Sequence, residues 1–485
     1  MDYEHGDTES LATPVAPRTA PQSRVRSHAH IFGVLGLVAV PVCVLLLVAR
    51  AAGSPSQFVP ARSGGWPGWL SGPLHGFGIN LDSTSFQALT LAMCAGYVLV
   101  LLYTNVLSGR AIAVSIVAAN LFLFLGPPLI SQDVFGYLEF ARLGVLHGLD
   151  PYTHVAAEAP TDAVFPFVGW PFQHSPYGPL FTLGSYPLGW LGLAGGLWAL
   201  KAIAVAASLG AVALTASAAE RMGRSGKAAA VFVGLNPVLL ELATGGAHND
   251  TLVLLALGGA LMFAAGGCAS REEIAGGQPQ TTPRAPRLRA AAAVLVAGVG
   301  VKASAGLALP FVVLAPPTWR ERGRVAASAA GAFALLALVG VLGFGAHAFG
   351  FLNALNEQQQ LVATHSIPAE TARLVGLSGV PAWWRHLYLF GFLLALAYTL
   401  WRTAQGADWR AMAGWATLAL LLSTAWLLPW YAIWVLPLAA LADSRRLRAA
   451  TLVFCAYAIL IHLALANPLL SPSRNIPHYR VTVRR

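Results

Sequence analysis

Ile31-Phe-Gly-Val-Leu-Gly-Leu-Val-Ala-Val40-Pro-Val-Cys-Val-Leu-Leu-Leu-Val-Ala-Arg50-Ala51 carries no charged side chain before Arg50. It lacks the apolar/polar alternation of a strand with one wet face. A run of roughly 20 apolar residues is what a helix needs to cross a bilayer. In hydrocarbon every backbone N–H and C=O must be satisfied within the segment or in a closed barrel. Continuous apolar runs of this length therefore predict helices. The stretch before it, residues 1–30, is polar and irregular, with Pro14, Pro17 and Pro21 and no apolar core. It does not have the form of a signal peptide and is expected to be a disordered tail. Arg18, Arg24 and Arg26 place it in the cytoplasm by the positive-inside bias.

Similar runs recur to about residue 468. Hydrophobic types make up 56% of the 485 residues and charged types only 10%. Soluble domains carry about 25% charged residues, so this chain cannot cover a water-facing surface of ordinary size. The predicted fold class is all-α, a polytopic membrane helical bundle of about 13 transmembrane helices. After the first, spans are expected near 86–106, 111–130, 198–218, 228–245, 251–268, in a hairpin over 290–317, and near 325–345, 386–402, 411–428, 431–442 and 450–467. The stretch 177–196 is apolar enough to cross, but a dip keeps Arg221, Arg224 and Lys227 inside. Charge then puts loops 51–85, 131–177 and 346–385 outside and the Pro-, Gln- and Thr-rich linker 269–290 inside. The tail 469–485 falls outside with four arginines, against the usual bias.

The net charge of +10 comes from 30 Lys+Arg against 20 Asp+Glu. In a membrane protein this is the expected excess in cytoplasmic loops. With no basic patch interleaved with aromatics, nucleic-acid binding is excluded. Cys43, Cys94, Cys268 and Cys455 lie in or at the edge of apolar runs without metal-ligand spacing, and read as packing residues.

The long polar loops all lie on one side, so the chemistry is expected there. Ser131-Gln132-Asp133-Val-Phe-Gly-Tyr137-Leu-Glu139-Phe-Ala-Arg142 opens the richest of them. Residues 134–146 have helical spacing, with Phe135, Leu138, Arg142 and Leu146 on one face. This predicts an external helix lying along the interface after the third span. Asp133 at its start is either an N-cap or a carboxylate held at the membrane surface by the helix dipole. Gly148-Leu-Asp150-Pro151-Tyr152 and His174-Ser175-Pro176-Tyr177-Gly178-Pro179 come next; a lone surface histidine such as His174 is ordinarily structural. Gly245-Gly246-Ala247-His248-Asn249-Asp250 puts three polar residues between two apolar runs, either a capped turn or a site, since such residues are costly in a membrane. Lys302, in Val299-Gly-Val-Lys302-Ala-Ser304, snorkels or meets an anion. Thr364-His365-Ser366-Ile367-Pro368 is an unusual polar insertion.

Asp133-Val-Phe-Gly-Tyr137, Gly148-Leu-Asp150-Pro151-Tyr152 and Ser175-Pro176-Tyr177-Gly178-Pro179 together resemble the first catalytic loop of GT-C glycosyltransferases that use polyprenyl-phosphate sugars. Gly246-Ala247-His248-Asn249-Asp250 and Val301-Lys302-Ala303, with Pro310 beyond, resemble the polyprenol-phosphomannose-dependent α-1,6-mannosyltransferases of actinobacterial cell envelopes. The resemblance runs over roughly residues 85–440. Many GT-C enzymes carry the key acid in the first external loop, whereas two more spans precede Asp133 here; Asp82 is its rival.

The resemblance implies an inverting hexosyltransferase of the cell membrane with its active site outside. The donor would be a polyprenyl-phosphate mannose in the bilayer, and the acceptor a glycolipid or mannan. Asp133 would be the general base, and His248 and Lys302 would stabilise the leaving phosphate. Tyr137, Arg142, Tyr152, His174, Tyr177, Asn249, Asp250 and His365 complete the candidate substrate-binding set. The absence of a nucleotide-binding fingerprint fits a lipid-linked donor. No cofactor is expected, and the question of a divalent metal stays open because Asp133 has no adjacent carboxylate. A transporter or flippase for a lipid-linked sugar is the rival function, for which paired broken helices at the midplane are the signature. A non-catalytic assembly scaffold is a third.

Overall fold

The computed structural model describes residues 20–53, 67–77, 83–265 and 285–463. Asp82, Cys268, most of the linker 269–290 and the C-terminal arginines lie outside the described residues. All regular structure among the described residues is helical.

Helix α1 (Ala20–Gly53) starts well before the expected Ile31, so Ala20–His30 is helical where an irregular tail is expected. It packs along α2 (Ser83–Tyr103) and α3 (Gly109–Phe124). A Cβ on Gly36 would lie 2.5 Å from the backbone O of Gly96, so only glycine lets α1 and α2 meet this closely. Small residues at such crossings are the usual means of helix association in lipid. Helix α3 stops at Phe124, short of the expected residue 130, because Pro127 and Pro128 cannot continue it.

The chain next forms α4 (Asp133–Leu146), a loop with two short 3₁₀ turns, and α5 (Pro179–Gly189). Helix α5 has 11 residues, about half a bilayer crossing. Then come α6 (Gly192–Arg221), α7 (Gly226–Gly234), a π-helix (Val238–Thr244) and α8 (Asp250–Ala264). Helix α7 and the π-helix meet at an angle of 48° across Pro237. A π-helix is rare and concentrates at functional sites; this one leads directly to His248.

Next are α9 (Ala285–Val299), a 3₁₀ turn (Ala303–Ala308), α10 (Leu309–Leu314) and α11 (Trp319–Phe344). Two short amphipathic helices, α12 (Phe351–Gln358) and α13 (Ile367–Leu374), precede α14 (Ala382–Ala404). The rest is α15 (Trp409–Ser423), a 3₁₀ segment (Pro429–Val435), α16 (Leu436–Leu441) and α17 (Arg445–His462).

Five helices are long and apolar enough to cross a membrane: Ser27–Gly53, Thr84–Val106, Gly192–Arg221, Trp319–His347 and Ala382–Ala404. The bent pair α7 and π-helix makes a sixth if it is one span. Thirteen such helices are not present among the described residues. Several expected spans are instead short apolar helices, broken by proline or extended by 3₁₀ turns. Helices α11 and α14 expose Leu335, Leu338, Leu342, Leu387, Phe390 and Leu394. Apolar faces this extensive on a monomer call for a partner or a membrane, and here they suit lipid.

Helix α4 does not lie along a surface. Val134, Phe135, Tyr137, Leu138, Phe140 and Leu143 are all buried, so the helix is apolar nearly all round, and Leu146 is exposed. Ala156, Val164, Phe167 and Val168 fold over one side of it, and Leu197, Leu200 and Ala204 of α6 support another. The segment 131–177 therefore has its own core, and its helix is fixed from several directions.

Candidate active site

Two backbone turns bring the first two motifs together. Leu129 N–H donates to the carbonyl of Gly245 at 2.8 Å. Beside this bond stand Ile130 (φ 71°) and Ala247 (φ 53°), the non-glycine residues with positive φ among the described residues. For a β-branched residue such as Ile130 this is a true outlier, and such conformations cost about 1–3 kcal/mol each. The strain aims the residues directly after each turn, Ser131–Asp133 on one strand of chain and His248–Asp250 on the other.

Asp133 is the first residue of α4, but Gln132 holds the cap position and Ser131 Oγ accepts the Asp133 N–H at 3.1 Å. The carboxylate is thus not the helix cap. Its Oδ2 lies 3.4 Å from His248 Nδ1. The imidazole is fully buried and stacks on Trp430, with ring centroids 3.9 Å apart. Tyr137, one turn along α4, places its hydroxyl 3.4 Å from the same Nδ1 and donates to Asn249 Oδ1 at 3.4 Å. Burial pushes the Asp133 carboxyl up, but the hydrogen bond and charge of His248, with Lys302 and the Ser131 hydroxyl, hold it below the usual carboxylate range. It is ionised near neutral pH.

Asp250 opens α8 and is fully buried. Lys302 Nζ donates to both of its oxygens at 2.9 Å, and Trp434 Nε1 donates to Oδ1 at 2.8 Å. The ammonium also sits 4.6 Å above the Tyr431 ring and 5.5 Å from that of Trp434. A buried ion pair needs such extra partners to offset its desolvation. The Lys302 segment is clamped by the loop before α5: Gly178 N–H donates to Val301 O at 3.0 Å. A Cβ on Gly178 would lie 2.5 Å from Gly300 O, so only glycine permits the approach.

These pieces surround one cleft. Asp133, His174, Tyr177 and Lys302 line it, together with Trp170, Gln173, Gln358, Trp426 and Tyr431. Tyr137, His248, Asn249 and Asp250 form a buried layer around it; His248 meets Asp133 and Asp250 meets Lys302. The sequence reading expects His248 at the leaving phosphate; here it has no exposed surface and lies behind the Asp133 carboxylate rather than on the cleft wall.

Three of the candidate residues are elsewhere. Arg142 bonds Asp162 at 2.7 Å and Gly189 O at 3.3 Å, tying α4 to its covering loop and to the end of α5. Tyr152 donates to Tyr177 O at 2.8 Å and packs on Phe344. His365 pairs with Glu370 at 2.7 Å. None of the three lines the cleft. His174 does, and its Nδ1 lies 3.0 Å from Glu357 of α12.

A family model described as "Alpha-(1->6)-mannopyranosyltransferase, N-terminal domain" matches residues 30–318, more than half of the chain. The chain belongs to this family. It is 28% identical over 388 residues to Alpha-(1->6)-mannopyranosyltransferase A of Mycobacterium tuberculosis, covering 71% of this chain and 69% of the relative. A probable alpha-(1->6)-mannopyranosyltransferase of Mycolicibacterium smegmatis is 26% identical over 500 residues, covering 92% of this chain and 84% of the relative. Alpha-(1->6)-mannopyranosyltransferase A of Corynebacterium glutamicum matches over a shorter stretch, 28% identical, 39% of this chain and 36% of the relative. No solved structure matches.

The segment matched by the mannopyranosyltransferase model holds Asp133, His248, Asn249, Asp250 and Lys302. The aromatic wall supplied by Trp426, Trp430, Tyr431 and Trp434 lies beyond it. Sequence reasoning missed that wall by reading 431–442 as an ordinary span. Its signal is present: Trp426, Trp430 and Trp434 recur every fourth residue around Pro429.

Proposed function

We propose that this mannosyltransferase family member takes mannose from a polyprenyl-phosphate mannose donor and passes it, with inversion, to a mannan or lipoglycan acceptor through an α-1,6 linkage, outside the cytoplasmic membrane. The observation that carries the reading is the cleft itself. It presents an ionised carboxylate that caps no helix and an ammonium anchored from behind by Asp250. Inverting transfer needs these two groups. An acceptor hydroxyl attacks the anomeric carbon and gives its proton to Asp133 as the new C–O bond forms. The bond to phosphate breaks, and the electron pair leaves on the lipid phosphate, whose charge Lys302 faces. Tyr431 and Trp434 beneath the ammonium keep it in place. The cleft lies on the outer face in this reading, which the charge between spans supports when 13 crossings are drawn partly from the shorter apolar helices; there a lipid-linked donor replaces a soluble nucleotide sugar.

The test is transfer by the purified full-length chain from polyprenyl-phosphomannose to short mannoside acceptors. Asp133→Asn is expected to retain donor binding and to lose about 10²–10⁴-fold in transfer. Near-normal transfer by this variant would remove Asp133 from the chemistry.

A further inference from the structure

The cleft changes character along its length. Asp133 and Lys302 sit where side chains are only 15% and 14% exposed. Toward the mouth the lining turns aromatic and amide-bearing, beside His174 and its partner Glu357. Trp170, 39% exposed, meets Trp426 edge to face, with ring centroids 5.5 Å apart at 82°. Gln173 and Gln358 flank them from two different elements, the loop after α4 and the end of α12. Neither amide side chain engages a hydrogen bond among the described residues. The placement is held by the backbone: Gln173 N–H donates to Trp170 O at 3.3 Å, which puts both side chains on one turn. On the facing wall Ala363 N–H donates to Ala425 O at 2.8 Å, beside Trp426.

Tryptophans at a membrane surface ordinarily anchor in the headgroup belt. These two turn toward each other and toward the cleft. An edge-to-face pair leaves the face of one indole open. An open indole face is a flat apolar surface that fits the C–H face of a pyranose ring. A free primary amide both donates and accepts, which suits the hydroxyls around that ring. An aromatic-and-amide mouth ahead of the Asp133 and Lys302 interior thus sorts its ligands, with the sugar outside and phosphate within.

We propose that Trp170 and Trp426, with Gln173 and Gln358, form the subsite that holds the terminal pyranoside of the acceptor. The proposal rests on the reading of the cleft as a mannosyl-transfer site. It assigns acceptor specificity to residues outside the Asp133–His248 and Asp250–Lys302 pairs.

The experiment uses the purified full-length chain and α-1,6-mannobiose as probe. Binding is measured by calorimetry, and acceptor and donor KM are measured separately in the transfer assay. Trp170→Ala and Trp426→Ala are each expected to weaken mannobiose binding roughly tenfold and to raise acceptor KM, with donor KM unchanged. Trp170→Phe keeps an aromatic face and is expected to retain most of the binding. Gln358→Leu is expected to lose about two- to tenfold. Trp383→Ala, at an exposed tryptophan outside the cleft, is expected to change neither. If an alanine variant fails to fold, the other alanine variant and Gln358→Leu decide.

Mannobiose binding that is absent in the wild type, or unmoved by both alanine variants and Gln358→Leu, overturns the subsite. Wild-type transfer with acceptor KM unmoved by those variants also overturns it, while leaving the reaction standing. Tryptophan-dependent binding without transfer from polyprenyl-phosphomannose keeps the subsite and rejects the donor.

Discussion

His248 has no exposed surface, yet its Nδ1 is shared between the Asp133 carboxylate and the Tyr137 hydroxyl. In the proposed mechanism its work is to aim Asp133, the proposed base. His248→Phe keeps the stack on Trp430 and removes the nitrogen. A misplaced reacting group costs on the order of 10²-fold. The expected outcome is a fall of that size in kcat with donor KM unchanged; a rise in donor KM instead would mean that His248 meets the donor. Glu139, further along α4, is 1% exposed and neither carboxylate oxygen has a hydrogen-bond partner. Burial, reinforced by Asp162 and opposed by Arg142, pushes its carboxyl from 4.5 up to about 8. Between those values the folded chain keeps a proton that the unfolded chain has released, so this group's effect on stability worsens as pH rises from 4.5 to about 8. Glu139→Gln is expected to shrink the Tm difference between pH 6 and pH 8.5; an unchanged difference would refute the assignment. Asp133, His248, Asp250 and Lys302 were conspicuous in the sequence as polar residues in or beside apolar runs, where they are costly, and the fold brings them together around one cleft. The fates of Arg142, Tyr152 and His365 were not legible, because Asp162, Phe344 and Glu370 become their neighbours only through the fold.

At the scale of elements, apolar runs announced most helices within a few residues, and prolines explain several that stop early. What the pattern could not convey was depth. The face counted on α4 suggested a helix lying in the interface, and the covering loop 156–168 made it internal. The run at 429–441 looked like a crossing and is a 3₁₀ segment and a short helix carrying the aromatic wall. The loop before α5 shows how elements set the site. Gly178→Ala ordinarily gains about 0.4–1 kcal/mol by stiffening the unfolded chain. Here the added carbon meets the backbone of Gly300, which cannot swing aside. The expected result is a loss of transfer of about 10²-fold with helix content preserved, read by circular dichroism alongside the transfer assay. Full activity would mean that the clamp does not set the position of Lys302.

For the molecule as a whole, the proposed sidedness rests on the distribution of charge between spans, and geometry alone does not carry it. In a background with the four cysteines replaced, single cysteines at Ala157 and Gln405 are expected to react with impermeant reagent from opposite sides of the membrane. Labelling from the same side would overturn the threading, and reaction of the Ala157 position from the inner side would move the cleft to the cytoplasm and reject the lipid-donor reading. The Asp250–Lys302 pair also has a history in time. The two residues are 52 positions apart. At about 5–20 residues per second the ribosome leaves Asp250 without its cation for roughly 3–10 s. Through that interval the acid at the head of α8 has no ammonium to meet, and a buried carboxylate without its partner is strongly destabilising. The head of α8 is therefore expected to reach its final packing late, once its counterion has been made.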